Sequence, residues 1–476
     1  MNLTSATTKA RKKADLLIVP FWQGGKKGPS PASDLKVNVS PAIDFSGKKD
    51  EIVYLYTPKG PEPRVLLLGL GEEKEFTPEK ARKAYASALC WGLGKKIKSV
   101  NIALPPEEYA KAALEGVLLA NYSYEAHRKE PQIKPVEKIC LIGELKTAKE
   151  TAEIVECVNY ARDLVFGNAD DVTPSLLAKK AQELAKEYTS IHTKVLNREQ
   201  ILKEKMDLLA AVSRGATTPP AFIIAEYRGA PGNKDVTAII GKGITFDTGG
   251  LLLKPRGGME TMRDDMAGGA VVLGVLRAAA KLKLKGNIIG FIPTTENAIG
   301  PDSYKPGDVY QSHAGVSVEI ADTDAEGRLV LADAISYAQK HYSLKRIIDL
   351  ATLTGGATVA LGEEAAVICS NSDKLSQELI AAGETSYERL WRLPLFEEYK
   401  SLLESKIADI KNAGPRKASS ICGGIFLQRF VKKEIDWAHI DIAAVAFPDV
   451  LKPYQPIQAT GFGVRLLVEY FQHLFK

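Results

Sequence analysis

Histidine and cysteine are scarce: the 476-residue chain holds six of the first and five of the second. The histidines, His127, His192, His313, His341, His439 and His473, are scattered and form no H-E-x-x-H pair, which sets aside the common His-ligated zinc helix. The cysteines, Cys90, Cys140, Cys157, Cys369 and Cys422, are odd in number and form no C-x-x-C, so they read as reduced core residues rather than thiolate zinc ligands. No apolar run reaches the roughly 18 residues a membrane helix needs. The early stretch Leu16-Leu17-Ile18-Val19-Pro20-Phe21-Trp22 is too short and Pro-interrupted for a secretory signal. A cytoplasmic protein without membrane contact is the expectation. An excess of one charge is also missing: 63 basic against 58 acidic residues leave +5, and only residues 9–13 are locally basic, which gives no reason to invoke nucleic acid. There is no G-x-x-x-x-G-K-[ST] phosphate loop and no G-x-S-x-G nucleophile elbow. Gly241-Lys242-Gly243 lacks the third glycine of a dinucleotide fingerprint.

What is present is α/β patterning at two-domain length. Short apolar runs at residues 15–21, 64–70, 99–104 and 137–142 alternate with amphipathic stretches at 79–93 and 106–121, the pattern of a small α/β domain. A helical pattern then runs to Phe166 and stops in Gly167-Asn168-Ala169-Asp170-Asp171-Val172-Thr173-Pro174. The expected layout is an N-terminal α/β domain over 1–148, a long linking helix over 149–170, and a larger α/β domain with a central mixed sheet over 171–476.

That last region holds the acids. Asp322, Asp324 and Glu326 stand at every second position in Asp322-Thr323-Asp324-Ala325-Glu326-Gly327-Arg328-Leu329, after the strand-like Val316-Ser317-Val318-Glu319-Ile320. If the chain stays extended, all three face one way at a strand's carboxyl end, where open α/β sheets carry their sites. A solvated turn is the plainer reading of such acids taken alone. Two further clusters argue against it: Lys242, Asp247 and Lys254 after the apolar run at 236–240, and Asp264-Asp265 before the small-residue helix Met266-Ala267-Gly268-Gly269-Ala270. Packed together, Asp247, Asp265, Asp324 and Glu326 would carry four negative charges that two divalent cations cancel, with Asp247 or Glu326 bridging.

These residues closely resemble the leucine aminopeptidase (cytosol aminopeptidase) family of metallopeptidases. Its signature is seen in residues 322–329, and a second block in Lys242-Gly243, Phe246-Asp247, Gly249-Gly250, Lys254 and Asp265-Met266. Further similarity lies in Ala351-Thr352-Leu353-Thr354-Gly355, Ala408-Asp409-Ile410-Lys411-Asn412 and Trp437-Ala438-His439-Ile440-Asp441. The resemblance implies one metal on Asp247, Asp324 and Glu326 and a second on Lys242, Asp247, Asp265 and Glu326, the ions being Mn2+ or Zn2+. It implies that a metal-bound hydroxide attacks the scissile carbonyl, that Lys254 stabilises the oxyanion, and that Arg328 holds a bicarbonate as general base. Peptides with a free N-terminus would be the substrates, with a leucine-like first side chain entering a pocket at Met262, Thr352, Leu353 and Gly355, in a homohexamer. An ion pair for Lys242, a helix-start salt bridge for Arg328 to Asp324 or Glu326, and a core role for Met262 are the non-catalytic alternatives. A two-metal phosphoesterase would use the same acids, and the other alternative is an added DNA-binding or architectural role, of the sort some members of the family take, here through the basic start and the first domain. The signature's usual first residue is Asn; Asp322 adds a charge there.

Overall fold

A computed structural model of the chain describes residues 1–24, 35, 44–57 and 60–476. They divide into two units, Met1–Glu156 with Val450–Ile457, and Cys157–Asp449 with Gln458–Lys476.

The first unit runs β1 (Asn2–Ala6), β2 (Leu16–Trp22), β3 (Ile52–Tyr56), β4 (Arg64–Gly71), α1 (Pro78–Leu93), β5 (Ser99–Ala103), α2 (Glu107–Ala120) and β6 (Lys138–Ile142), with α3 (Ala148–Phe166) beginning in it. Its six-stranded sheet has the order β1-β6-β5-β2-β4-β3. The pairings are parallel except β3 against β4. The four apolar runs became β2, β4, β5 and β6 because both sheet faces are covered, so nearly every side chain of β2 and β4 is buried. The strand β1, Asn-Leu-Thr-Ser-Ala, is an exposed edge with no apolar run to betray it. Thr77 caps α1 by accepting from Lys80 N, and Pro78 occupies the first turn, where its missing N–H costs nothing.

The second unit continues with α4 (Pro174–Glu187), β7 (Ile191–Leu196), α5 (Arg198–Lys203), α6 (Asp207–Val212), β8 (Ala221–Arg228), β9 (Val236–Gly241), β10 (Gly243–Asp247), α7 (Ala267–Leu282), β11 (Asn287–Asn297), β12 (Val309–Gln311), β13 (Ser317–Glu319) and α8 (Gly327–His341). It is completed by β14 (Arg346–Ala351), α9 (Gly355–Leu361), β15 (Ala366–Ser370), α10 (Asp373–Ser386), β16 (Leu390–Arg392), β17 (Ile410–Lys411), α11 (Ser419–Gln428), β18 (Asp436–Asp441), α12 (Ala443–Ala446) and α13 (Val464–Leu474). The central sheet is mixed, in the order β16-β15-β18-β14-β9-β11-β8-β7, with β10 added beside β11. Its middle strands β18, β14, β9 and β11 are mutually parallel, so their carboxyl ends open on one edge. Glycines let α7 press on that edge: a Cβ at Gly268 would lie 2.2 Å from Leu350 O.

Two expectations, on residues 316–320 and on the cysteines, need correction. The division between units falls inside α3, between Glu156 and Cys157, within the stretch expected as the linking helix over 149–170. Val450–Ile457 also joins the first unit, where the Tyr454 hydroxyl donates to Glu79 at 3.0 Å. Residues 316–320 form only the short strand β13, in a separate three-stranded sheet β12-β13-β17. Among the cysteines, all free, Cys90 is exposed and Cys140 half-buried, so only Cys157, Cys369 and Cys422 are core residues. Among the described residues no helix is long and apolar enough to cross a membrane.

Candidate metal centre

Strand ends deliver most of the site. β9 ends at Gly241 and hands on Lys242; β10 ends at Asp247; β11 ends at Asn297; β14 ends at Ala351, just before Thr352. Lys242, 2% exposed, puts its Nζ 2.7 Å from Asp265 Oδ1 and 2.7 Å from Glu326 Oε1, and donates to Thr352 O at 3.0 Å. Lys254 Nζ lies 2.7 Å from Asp247 Oδ2 and 2.6 Å from Asp324 Oδ1. Thr352 Oγ1 donates to Asp265 Oδ1 at 2.7 Å, so all five residues expected to ligate metal, together with Lys254 and Thr352, converge.

The route taken by Asp322, Asp324 and Glu326 differs from the extended one expected. After β13 the chain turns, and the three acids part: Glu326, 1% exposed, reaches Lys242, while Asp324 stays partly exposed against Lys254. Asp322 accepts from Asp324 N at 2.9 Å, as an Asn at that position also would, so its carboxylate closes the turn instead of joining the cluster. Arg328, in the first turn of α8, is 6% exposed and donates from Nη1 to Asn412 O at 2.9 Å, while its Nε has no partner. The salt bridge to Asp324 or Glu326 is not formed, since lysines hold both acids. Met262 lies half-buried in the turn that leads into Asp264 and Asp265; Leu353 is half-buried and Gly355, the first residue of α9, is exposed.

Four supporting residues carry roles that the sequence reading did not assign. Asn297 donates to Asp247 Oδ1 at 2.7 Å and to Thr323 O at 3.0 Å, tying two acid-bearing segments together. Nothing in its surroundings in the sequence marks it. Asn412 accepts from Ala321 N and Asp322 N and donates to Asp322 O, and Asp441 accepts from Leu353 N, Thr354 N and Thr354 Oγ1. Both belong to the similar blocks noted above, which was the available signal. Thr323 Oγ1 donates to Gly249 O and accepts from Leu252 N.

The electrostatics are those of crowded carboxylates. Burial, then the Glu326 charge, pushes Asp247 up to about 6, and burial pushes Asp265 well above the usual range and Asp264 up to about 7. Burial would also raise Glu326, but Lys242 and Lys254 outweigh it and hold the group low. Burial lowers the Lys242 amine, and Asp265, Glu326 and Asp247 more than offset that. Fully ionised, Asp247, Asp265, Asp324 and Glu326 against Lys242 and Lys254 would leave two negative charges in a largely buried site. Both Glu326 oxygens and Asp265 Oδ2 lack a well-aligned hydrogen bond, and oxygens of Asp247, Asp265 and Glu326 lie within 4.8 Å of one another. Hard divalent cations answer both deficits, so the residues fit them. An α/β unit with buried acids converging at its strand ends is the arrangement of a metal-dependent hydrolase.

The catalytic-domain profile of the cytosol aminopeptidase family matches residues 159–468, and its N-terminal-domain profile matches residues 18–131. The chain is 46% identical over 483 residues to a probable cytosol aminopeptidase of Protochlamydia amoebophila, covering 98% of this chain and 97% of the relative. It is 45% identical over 489 residues to that of Chlamydia trachomatis serovar D, covering 98% of each. Among solved structures, a tomato leucine aminopeptidase variant is similar at a TM-score of 0.89 and 30% identity, covering 99% of this chain and 96% of that one. The bottromycin maturation enzyme BotP in complex with Mn is similar at 0.87 and 31%, covering 97% and 100%. The chain therefore belongs to the cytosol aminopeptidase family and is a metal-dependent aminopeptidase.

Proposed function

We propose that the enzyme removes leucine-like residues from the amino termini of peptides with a pair of Mn2+ or Zn2+ ions. Asp247, Asp324 and Glu326 would hold one ion; Lys242, Asp247, Asp265 and Glu326 would hold the other. The observation that carries this is the buried meeting of Lys242, Asp247, Asp265 and Glu326, where Asp265 Oδ2 and both Glu326 oxygens lack a well-aligned hydrogen bond. When bound, such ions supply Lewis-acid polarisation of the scissile carbonyl and a nucleophilic water at neutral pH. Lys242 would hold its ion as a neutral amine, which requires loss of the proton it carries beside Asp265 and Glu326. Lys254, no longer required to balance Asp247 and Asp324, donates to the carbonyl oxygen as charge develops there. Arg328 is a buried guanidinium whose Nε has no hydrogen-bond partner and which makes no ion pair among the described residues, which fits a planar anion such as bicarbonate; that anion would supply a proton acceptor. Met262, Thr352, Leu353 and Gly355 take the first side chain. A free α-amine is a metal donor that internal peptide bonds lack, so amino termini are selected.

The same reading makes the enzyme a cytoplasmic homohexamer. Its test compares leucine p-nitroanilide, the N-acetylated form and p-nitrophenyl phosphate in the presence of Mn2+. Hydrolysis of the first alone is expected, and preference for the phosphate ester would replace the reading with a phosphoesterase. Glu326→Ala should lose both activity and the metal held by the Asp247, Asp265 and Glu326 cluster while its circular dichroism stays that of the parent.

A further inference from the structure

The helix α8 begins beside Glu326, and at its other end, about 22 Å away at 1.5 Å per residue, a second group of donors meets. Glu204, His313 and His341 each bring one ligand atom to within 4.8 Å of the other two. His341, the last residue of α8, sets Nε2 3.2 Å from Glu204 Oε2. His313 makes its Nδ1 contact with Ser336 Oγ at 2.7 Å, and its Nε2 is buried without a partner. That division of labour, one ring nitrogen oriented by a hydrogen bond and the other left open, is the one metal-binding imidazoles use.

The surroundings hold these donors in place. Asp333, on α8, accepts from His313 N at 2.8 Å and from Leu208 N and Leu209 N at 3.0 Å, fixing the His313 loop and the start of α6 to one carboxylate. The Tyr337 ring stacks on His341 at 4.1 Å between centroids. Glu204 and His341 keep 29% and 33% of their side chains exposed, which leaves an ion a way in from solvent. Two imidazoles and one carboxylate suit borderline-soft dications of the zinc kind better than the oxygen-rich catalytic cluster does.

We propose that Glu204, His313 and His341 form a second, non-catalytic site for a transition-metal dication such as Zn2+. An ion there cross-links the end of α5, the loop before β13 and the end of α8, the helix whose first turn carries Arg328. Chelator-stripped protein dialysed against micromolar Zn2+ tests this by metal content per chain. His341→Ala is expected to hold one Zn2+ fewer than the parent, and Glu326→Ala/His341→Ala one fewer than Glu326→Ala. Zn2+ should also raise the melting temperature of Glu326→Ala, whose catalytic cluster is broken, and leave that of the double variant unmoved. Glu204→Gln, a change at a partly exposed side chain, reproduces the deficit should His341→Ala fold poorly. Equal zinc content in folded parent and variants overturns the proposal and leaves the group as a His–Glu contact alone.

Discussion

Gly327 shows how little room the site leaves. A Cβ there would come within 2.6 Å of Lys242 Cε and 2.7 Å of its Nζ, the atom seated between Asp265 and Glu326. The signature's glycine therefore vacates the space a lysine amine occupies. Gly327→Ala is expected to displace that amine by about an ångström and to lower kcat/KM about 100-fold. Initial rates on leucine p-nitroanilide check this, with circular dichroism confirming the fold; near-parental rates would show that Lys242 has slack. That the acids belong together was suggested by their spacing and their crowded charge, while Lys242 entered only through the family resemblance, since an ion pair fits its place as well. Asn297 was not, since a lone asparagine after an apolar strand has no pattern until the strand's neighbour, Asp247, is known.

At the scale of elements, the alternation of short apolar runs and amphipathic helices was readable because parallel sheets bury both faces. The turn after β13 was not, because the D-x-D-x-E spacing fits an extended chain equally well and Asn412, some ninety residues on, decides the matter by gripping the backbone of Ala321 and Asp322. Neighbouring strands β14 and β18 contain another long-range pair. Asp349 and His439 stand opposite each other, Nδ1 2.6 Å from Oδ1, both fully buried, and Trp437 Nε1 donates to Asp349 Oδ2 at 2.7 Å. Burial lowers the His439 pKa, but Asp349 more than offsets it and the net shift is upward. A raised folded value means the ion pair's stabilisation is fully present below the unfolded pKa of about 6.5 and fades as pH rises through the folded one. His439→Gln should therefore cost about 3 kcal/mol near pH 6, and the deficit should shrink toward pH 9. Urea unfolding across that range reads it, and a deficit that grows with pH would contradict the assigned charge state.

At the scale of the whole molecule, the two units were foreseen from length and pattern, while the return of Val450–Ile457 to the first unit was not, since nothing local distinguishes a loop that packs far from its sequence neighbours. What a single chain leaves uncovered bears on the proposed hexamer. Large apolar side chains stand in solvent on the second unit: Leu253 at 54%, Val359 at 90%, Trp391 at 65% and Phe396 at 60%. Trp391 lies on β16, the outermost strand of the central sheet, whose open edge and exposed aromatic are a liability unless another surface covers them. Assembly of identical chains, as proposed above, would remove that liability. Light scattering on the purified enzyme is expected to give about six times the chain mass of 51.6 kDa. A stable monomer at micromolar concentration would refute the hexamer and leave those side chains to some other partner, with the chemistry of the site untouched.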